Sequence, residues 1–375
     1  MTFNDYSNLI RKRITETLQN ELSRAKAEYP SFSGDTAHIF KLIHDYSLAG
    51  KMLRGVLACL SAELFGKTRL SAAARARNSH DRGGGRHDQN PEPTDIYKIG
   101  AALELLQAGL LIHDDIMDED SLRRGLPTMH KQFEREAIDS GAENPSHLGE
   151  ALAICAADIC FFSAWNLVSD HDSALQRLFA QELTKVCLAQ SRDVRLGSHG
   201  RWPALQEILE VYTYKTARYT ICLPLLAGAI LAGRSDAEQL LEEVGTNLGL
   251  LFQLKDDYLG LFGEETSLGK PIGSDLREGK KTPYMLLLYP TLSASEKTRF
   301  DSLFGNESIG LVDVKFFRSL ILSHGIDTAM NKIEHEYAQM ARNSLTSLLQ
   351  TIPDLNKEVA EILRDFVEYS LSRTS

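Results

Sequence analysis

The chain has 375 residues, 43% hydrophobic and 25% charged, enough to bury a sizeable core. A net charge of −10 argues against a broad basic face for nucleic acid. The N-terminus, MTFNDYSNLIRKR, lacks an apolar core followed by a small-residue cleavage site, and the longest mostly apolar stretch, Ile221 to Gly233, is too short to span a bilayer. Cys59, Cys155, Cys160, Cys187 and Cys222 are scattered through apolar runs and read as reduced core residues of a cytoplasmic protein.

In chain order, apolar residues recur at helical spacing over Asn8–Ala27, Met52–Phe65, Ile96–Ile116, Leu148–Leu167, Leu175–Val194, Ala204–Leu231 and Ala237–Leu261, and onward to about Tyr369. Ser235 with Glu238, and Ser293 with Glu296, have the spacing of capping boxes. Pro203 suits a first helical turn, and Pro224 predicts a kink inside a long helical stretch. No run of alternating β-branched residues stands out, so the expectation is an all-α chain with one helical domain over 1–375. Residues 75–95, RARNSHDRGGGRHDQNPEPTD, have almost nothing to bury and predict a mobile surface insertion. Its Gly83–Gly85 run lacks the strand and the Gly-Lys-Ser/Thr of a phosphate loop.

Two acidic clusters carry chemistry. In LLIHDDIMDEDSLRRG, Asp114 and Asp118 are four apart and share one helix face, with Asp115 beside them. Like charges at that spacing need neutralising, and an oxygen-only set suits a hard cation such as Mg2+. Arg123 and Arg124 follow, and guanidinium forks match phosphate oxygens. In FQLKDDYLGLFGEETSLGKPIGSDLREGKKT, Asp256 and Asp257 close a second apolar helix, ahead of Lys270, Asp275, Lys280 and Lys281. Facing acidic walls with cations between them, above an apolar tube, suit a substrate with a diphosphate head and a greasy tail.

With Gly50-Lys51-Met52-Leu53-Arg54, Gly125-Leu126-Pro127-Thr128, Gln190 with Asp193, and Tyr214-Lys215-Thr216, the chain resembles the trans-isoprenyl diphosphate synthases (polyprenyl synthetases) from about Gly50 to Thr282. The resemblance implies the isoprenoid synthase fold, a helical bundle around a central apolar cavity, and head-to-tail prenyl transfer between isopentenyl diphosphate and an allylic diphosphate. It implies Mg2+ held by Asp114, Asp118 and Asp256 with Asp115 and Asp257 in support. It further implies allylic-diphosphate cations at Arg123, Lys215 and Lys270, with Lys280 also binding substrate, and an isopentenyl-diphosphate site at Lys51, Arg54, Gln107 and Arg124. Thr216, Tyr219, Phe252 and Gln253 match groups around the reacting carbons, with Lys215, Thr216, Gln253, Asp114 and Asp256 as the catalytic set. Members are usually homodimers. Three positions depart from the pattern: Gly260 replaces a third aspartate, for which Asp275 is the expected substitute, Leu126 replaces a polar residue, and Ala49 replaces a glycine.

Product length in this family follows the residues below the first motif. Gly109 and Leu110 lie about 7.5 and 6 Å down the helix from Asp114. A glycine and an aliphatic residue there, with Leu106 and Leu103 as the next stops, predict a deep floor and a product of geranylgeranyl length or longer. Three alternatives stand beside this reading. A farnesyl diphosphate synthase would share all the chemistry. A class I terpene cyclase would need an Asn/Ser/Glu metal motif in place of Asp256-Asp257, and a non-catalytic partner subunit would be expected to have lost aspartates or the Lys-Thr pair.

Overall fold

The computed structural model describes residues 1–30, 33–66, 93–198, 200–263 and 272–372. Most of the 75–95 insertion and Lys270 therefore lie outside the described residues. Sixteen α-helices, a π-helical run and one small hairpin follow one another among them, with two short 3-10 turns between. They are α1 (Phe3–Glu28), α2 (Ser33–Leu48), α3 (Leu53–Leu64), α4 (Pro93–Met117), β1 (Leu122–Arg123), β2 (Leu126–Pro127), α5 (Met129–Asp139) and α6 (Pro145–Ser169). Then come α7 (Ser173–Ser198), α8 (Leu205–Tyr212), a π-helical run (Thr213–Cys222), α9 (Leu223–Leu231) and α10 (Glu238–Phe262). The chain closes with α11 (Ser274–Arg277), α12 (Pro283–Leu288), α13 (Ala294–Leu303), α14 (Leu311–Ser323), α15 (Ile326–Thr351) and α16 (Lys357–Ser372).

The predicted helices are all present, and α2 and α5 are additions. The periodicity misses α2 because its inward face is short: Phe40, Leu42, Ile43 and Ser47 are its buried residues. The Ser293 box forms as expected, with Ser293 Oγ accepting from the Glu296 N–H and the Glu296 carboxylate accepting from the Ser293 N–H. The Ser235 box does not. A 3-10 turn over Ser235–Ala237 leads into α10, and Arg234 instead pairs with Asp236 at 2.8 Å. Pro203 stands just ahead of Ala204, the N-cap of α8, not inside the helix.

Pro224 acts as predicted, with a more specific outcome than a kink. It has no N–H to give, and the turns before it widen to the π spacing, the Leu223 N–H reaching back to the Arg218 carbonyl. The α ladder resumes at Leu223. Within the π-helical run, Arg218 is gripped by Glu182 of α7 through two hydrogen bonds of 2.7 and 2.8 Å and by Glu242 of α10 at 2.5 Å.

Two cores hold the bundle. One gathers α1 to α4, α6, α9, α16 and the N-terminal half of α10; the other gathers α8, the C-terminal part of α10 and α12 to α15. α10 belongs to both. The C-terminal ends of α4 and α10 carry the two aspartate clusters. Three of the cysteines, Cys59, Cys160 and Cys222, are buried as expected, whereas Cys155 and Cys187 are exposed on α6 and α7.

Both α4 and α6 are long and apolar enough to cross a membrane, which the search for an uninterrupted apolar run did not reveal because single polar residues break them up. In the fold they are bundle helices packed on each other. The most apolar window of α4 is largely buried, while less than half of that of α6 is covered, leaving Ile154, Phe162 and Trp165 exposed.

Candidate active site

The first wall is built at the end of α4. Asp114 and Asp118 stand one turn apart near its C-terminus, where the negative end of the helix dipole adds to their field, so the location favours cations. Asp114 accepts from Gln190 Nε2 at 3.1 Å and pairs with Lys215 Nζ at 3.3 Å. Burial, and then Asp114, push the Asp118 carboxyl up to about 6, against the pull of Lys280. Asp115 points the other way. It is fully buried, one oxygen accepting from Tyr46 Oη at 2.7 Å and the other from Arg123 Nε at 2.5 Å.

The hairpin that follows is short for a reason. Arg124 and Gly125 both have positive φ (54° and 76°), the conformation a two-residue hairpin turn demands, and Thr128 ties its ends by bonding to the Asp120 carbonyl at 2.8 Å. This turn sends the two arginines in opposite directions. Arg123 folds back onto Asp115, Asp114 and Asp120 and is an internal counter-ion of the first wall.

Arg124 reaches the other site. A β-carbon on Gly50 would stand 3.0 Å from its Nη2, so the hairpin and the turn before α3 lie side by side. Met52, also at positive φ (52°), leads into α3, whose second residue is Arg54. Arg54 donates to Thr220 Oγ1 at 2.6 Å and lies 4.5 Å over the Tyr219 ring. Beneath them Glu104, sealed inside the bundle, accepts from the Gly55 N–H at 2.8 Å. Burial raises its pKa, opposed by Arg54, that N–H bond and Arg124. Lys51 is exposed at the turn, and Gln107 is half-buried on α4, three residues beyond Glu104.

The second wall is built on α10. Asp257 is buried, accepting from Tyr212 Oη at 2.6 Å and from Gln253 Nε2 at 3.0 Å. Thr216 Oγ1 donates to Gln253 Oε1 at 2.8 Å, so the π-helical run is hydrogen-bonded to this wall. Burial, then the nearby Asp275, push Asp257 up to about 8. Asp256 is half-buried one residue earlier, and Phe252 is half-buried beside Gln253. A β-carbon on Gly260 would meet Asp275 Oδ2 at 3.3 Å, so the Asp275 carboxylate occupies the space that a longer side chain at 260 would take.

Cations join the walls. Lys215 bonds to Asp193 at 2.7 Å as well as to Asp114. Lys280 is half-buried at the cleft, and although burial pulls its pKa down, Asp275, Asp193 and Asp118 hold it well above the ordinary lysine value. One lysine thus answers carboxylates of both walls. Lys281 instead donates to the Leu196 carbonyl at 2.7 Å. Between the ends of α4 and α7 and the 274–281 segment opens a cleft of about 570 Å³, lined by Asp118, Asp193, Tyr212, Arg277 and Lys280 among others.

Among the described residues no three acidic or imidazole groups are drawn together tightly enough to enclose a metal by themselves. The chemistry of the donors nevertheless fits Mg2+: hard carboxylate oxygens of Asp114 and Asp118 at the end of α4, Asp118 lining the cleft, and of Asp256 on α10. Asp115 and Asp257, whose oxygens are taken by Tyr46, Arg123, Tyr212 and Gln253, brace the walls and are not placed as ligands. Tyr46, Tyr212, Glu104 and Asp193 were not among the predicted site residues. Only Asp193 had a local signal, its pairing with Gln190 in the family pattern.

Comparison with known proteins agrees with this architecture. The family model for polyprenyl synthetases matches residues 37–318. The chain is a polyprenyl synthetase. It is similar to a geranylgeranyl diphosphate synthase of Sulfolobus acidocaldarius (28% identical, covering 99% of this chain and 98% of that protein). It is likewise similar to a geranylfarnesyl diphosphate synthase of Aeropyrum pernix (28% identical, 91% and 94%). A geranylgeranyl pyrophosphate synthase of Corynebacterium glutamicum, solved with isoprenyl diphosphate and magnesium, superposes with a TM-score of 0.82 at 25% identity over the whole of both chains. The polyprenyl synthetase is accordingly an all-α trans-prenyltransferase.

One expectation about its cavity changes. Gly109 was read as a gap in the floor, but a β-carbon there would stand 2.6 Å from the Phe161 ring of α6 and 3.0 Å from the Ala157 carbonyl. The space is filled by another helix. Leu110 is partly buried and Leu106 is buried in the core.

Proposed function

We propose that this polyprenyl synthetase condenses isopentenyl diphosphate with an allylic diphosphate, in the presence of Mg2+, to give a trans-prenyl diphosphate of geranylgeranyl length or longer. The observation that carries the reading is the sharing of cations between two acidic walls: Lys215 answers Asp114, and Lys280 answers both Asp118 and Asp275. Asp114, Asp118 and Asp256 would hold the metal, with Asp275 beside them. Bound Mg2+ supplies charge stabilisation for the departing allylic diphosphate.

The chain's own groups do the rest. Lys215 and Lys280, both protonated, face the diphosphate oxygens. Arg54, Arg124 and Lys51 receive the second diphosphate, their charges set against buried Glu104. Thr216, Gln253 and the Tyr219 face offer oxygens and π electrons to an allylic cation without a strong nucleophile. The relatives named for geranylgeranyl and geranylfarnesyl products support the length.

We also propose a homodimer, supported by Ile154, Phe162 and Trp165 left exposed on α6, and a cytoplasmic setting, supported by five free cysteines. Incubating the purified chain with labelled isopentenyl diphosphate and several primers, with and without Mg2+, tests the activity. Metal-dependent prenyl diphosphates of geranylgeranyl length or longer are expected; farnesyl as sole product refutes the length, and no metal-dependent incorporation refutes the reaction. Sedimentation equilibrium at twice the chain mass is the expected result for the assembly.

A further inference from the structure

We propose that Arg218 is a positioning residue: by tying the π-helical run to α7 and α10 at once, it fixes the register in which Lys215, Thr216 and Thr220 meet their partners. This rests on the prenyl-transfer reading above. The ten residues of the run serve three groups. Lys215 reaches Asp193 and Asp114, Thr216 donates to Gln253, and Thr220 Oγ1 accepts from Arg54 at 2.6 Å beside Tyr219. A slip of one residue in a helical register turns every side chain by about 100°. The π spacing is itself a departure from the α ladder, so something outside the run has to hold it.

Arg218 does not line the cleft. Its Nε and Nη2 fork onto the two oxygens of Glu182, and Nη2 also meets Glu242. The Arg218–Glu182 pair is nearly dry, with side chains 13% and 2% exposed. Burial raises the Glu182 pKa, yet the bonds from Arg218 and Lys185 hold it below the usual carboxylate range, so the pair is ionic. Glu182 stands eleven residues before Asp193 on α7, and Glu242 eleven before Gln253 on α10. Each helix therefore grips the run at two points about 16 Å apart along its axis, one at the cleft and one at Arg218. Two anchors on each of two neighbours fix both rotation and axial position. A nearly buried ion pair adds little net stability, because desolvation offsets the attraction, and its value here is the single geometry it selects. Only a guanidinium can do this, since an ammonium has no planar fork to serve two carboxylates in fixed directions.

The test compares Arg218→Met, Arg218→Lys and Glu242→Gln in the full chain with Arg342→Met, which removes a bidentate surface pair to Glu368. Two quantities are read: kcat for isopentenyl incorporation, and hydrogen exchange of the 213–222 amides in the substrate-free protein. Arg218→Met is expected to lower kcat on the order of tenfold to a hundredfold, the scale of a small misplacement of reacting groups. Its 213–222 amides should exchange about tenfold faster while those of α4 are unchanged. Arg218→Lys, with charge but no fork, should behave nearly as badly, and Glu242→Gln, with Glu182 still gripped, should lose about threefold or less. Arg342→Met should alter neither reading. If Arg218→Met does not fold, Arg218→Lys and Glu242→Gln carry the comparison. Full kcat in a folded Arg218→Lys or Arg218→Met protein, a loss of kcat without faster exchange over 213–222, or an equal loss in Arg342→Met overturns the inference and leaves prenyl transfer intact. Absence of metal-dependent incorporation by the unaltered chain refutes prenyl transfer, and the exchange comparison still reports on the clamp.

Discussion

Asp115 and Asp257 each follow the outward-facing aspartate of their wall, and each is sealed from solvent, yet they are kept in check by different chemistry. Asp115 has a full opposite charge, Arg123, and one hydroxyl, Tyr46. Asp257 has only neutral donors, Tyr212 and Gln253, with Asp275 pushing against it. A buried carboxylate paired with a guanidinium stays ionised, whereas one held by uncharged groups trades part of its desolvation cost for a proton. The buried aspartate of the first wall is therefore held by an opposite charge, and that of the second is left responsive to pH and to added positive charge.

The largest test of this contrast is Arg123→Leu. It orphans a buried carboxylate and is expected to lower stability by about 3–5 kcal/mol in denaturant unfolding. Next comes pH. Asp257 has its folded pKa raised from 3.8 to about 8, so the native state keeps a proton that the unfolded chain releases. Its contribution is complete below about pH 4 and is lost as pH rises toward 8, on the order of a few kcal/mol in the metal-free protein. Asp118, raised to about 6, adds the same sign over a narrower window. Thermal midpoints without metal should fall across that range, and Asp257→Asn should flatten the curve where Asp115→Asn does not.

Smaller effects separate the hydroxyls. Tyr212→Phe should cost about 1–3 kcal/mol above pH 8, where Asp257 is charged, and less at pH 6. Tyr46→Phe, with Arg123 still in place, should cost about 1 kcal/mol at both values, measured by the same unfolding assay. Gly260→Ala is the mildest. Its new β-carbon at 3.3 Å obliges Asp275 to give by a few tenths of an ångström, so stability should change by less than about 1 kcal/mol while the Mg2+ needed for half-maximal turnover rises.

How much of this was legible beforehand follows from what local sequence can encode. Asp114, Asp118 and Asp256 announce themselves because charge closing an apolar helix is a local pattern. Lys215 and Thr216 were recognisable by order along the chain. Tyr46 was hidden because α2, which carries it, has too short a buried face to mark itself as a helix. Glu104 was hidden inside the apolar run of α4, and its purpose depends on a backbone N–H of α3 distant in sequence. Phe161 shows the limit most clearly. From α4 alone, glycine at 109 is an absence, and only the crossing of α6 reveals what fills it.

Lys280 carries one more consequence. Because it stands inside the acidic cleft, answering both walls, it keeps mutually repelling carboxylates from springing apart when nothing else is there. Under the proposed reaction this lysine would exchange its aspartate partners for the oxygens of an incoming diphosphate, leaving those carboxylates to a bound cation.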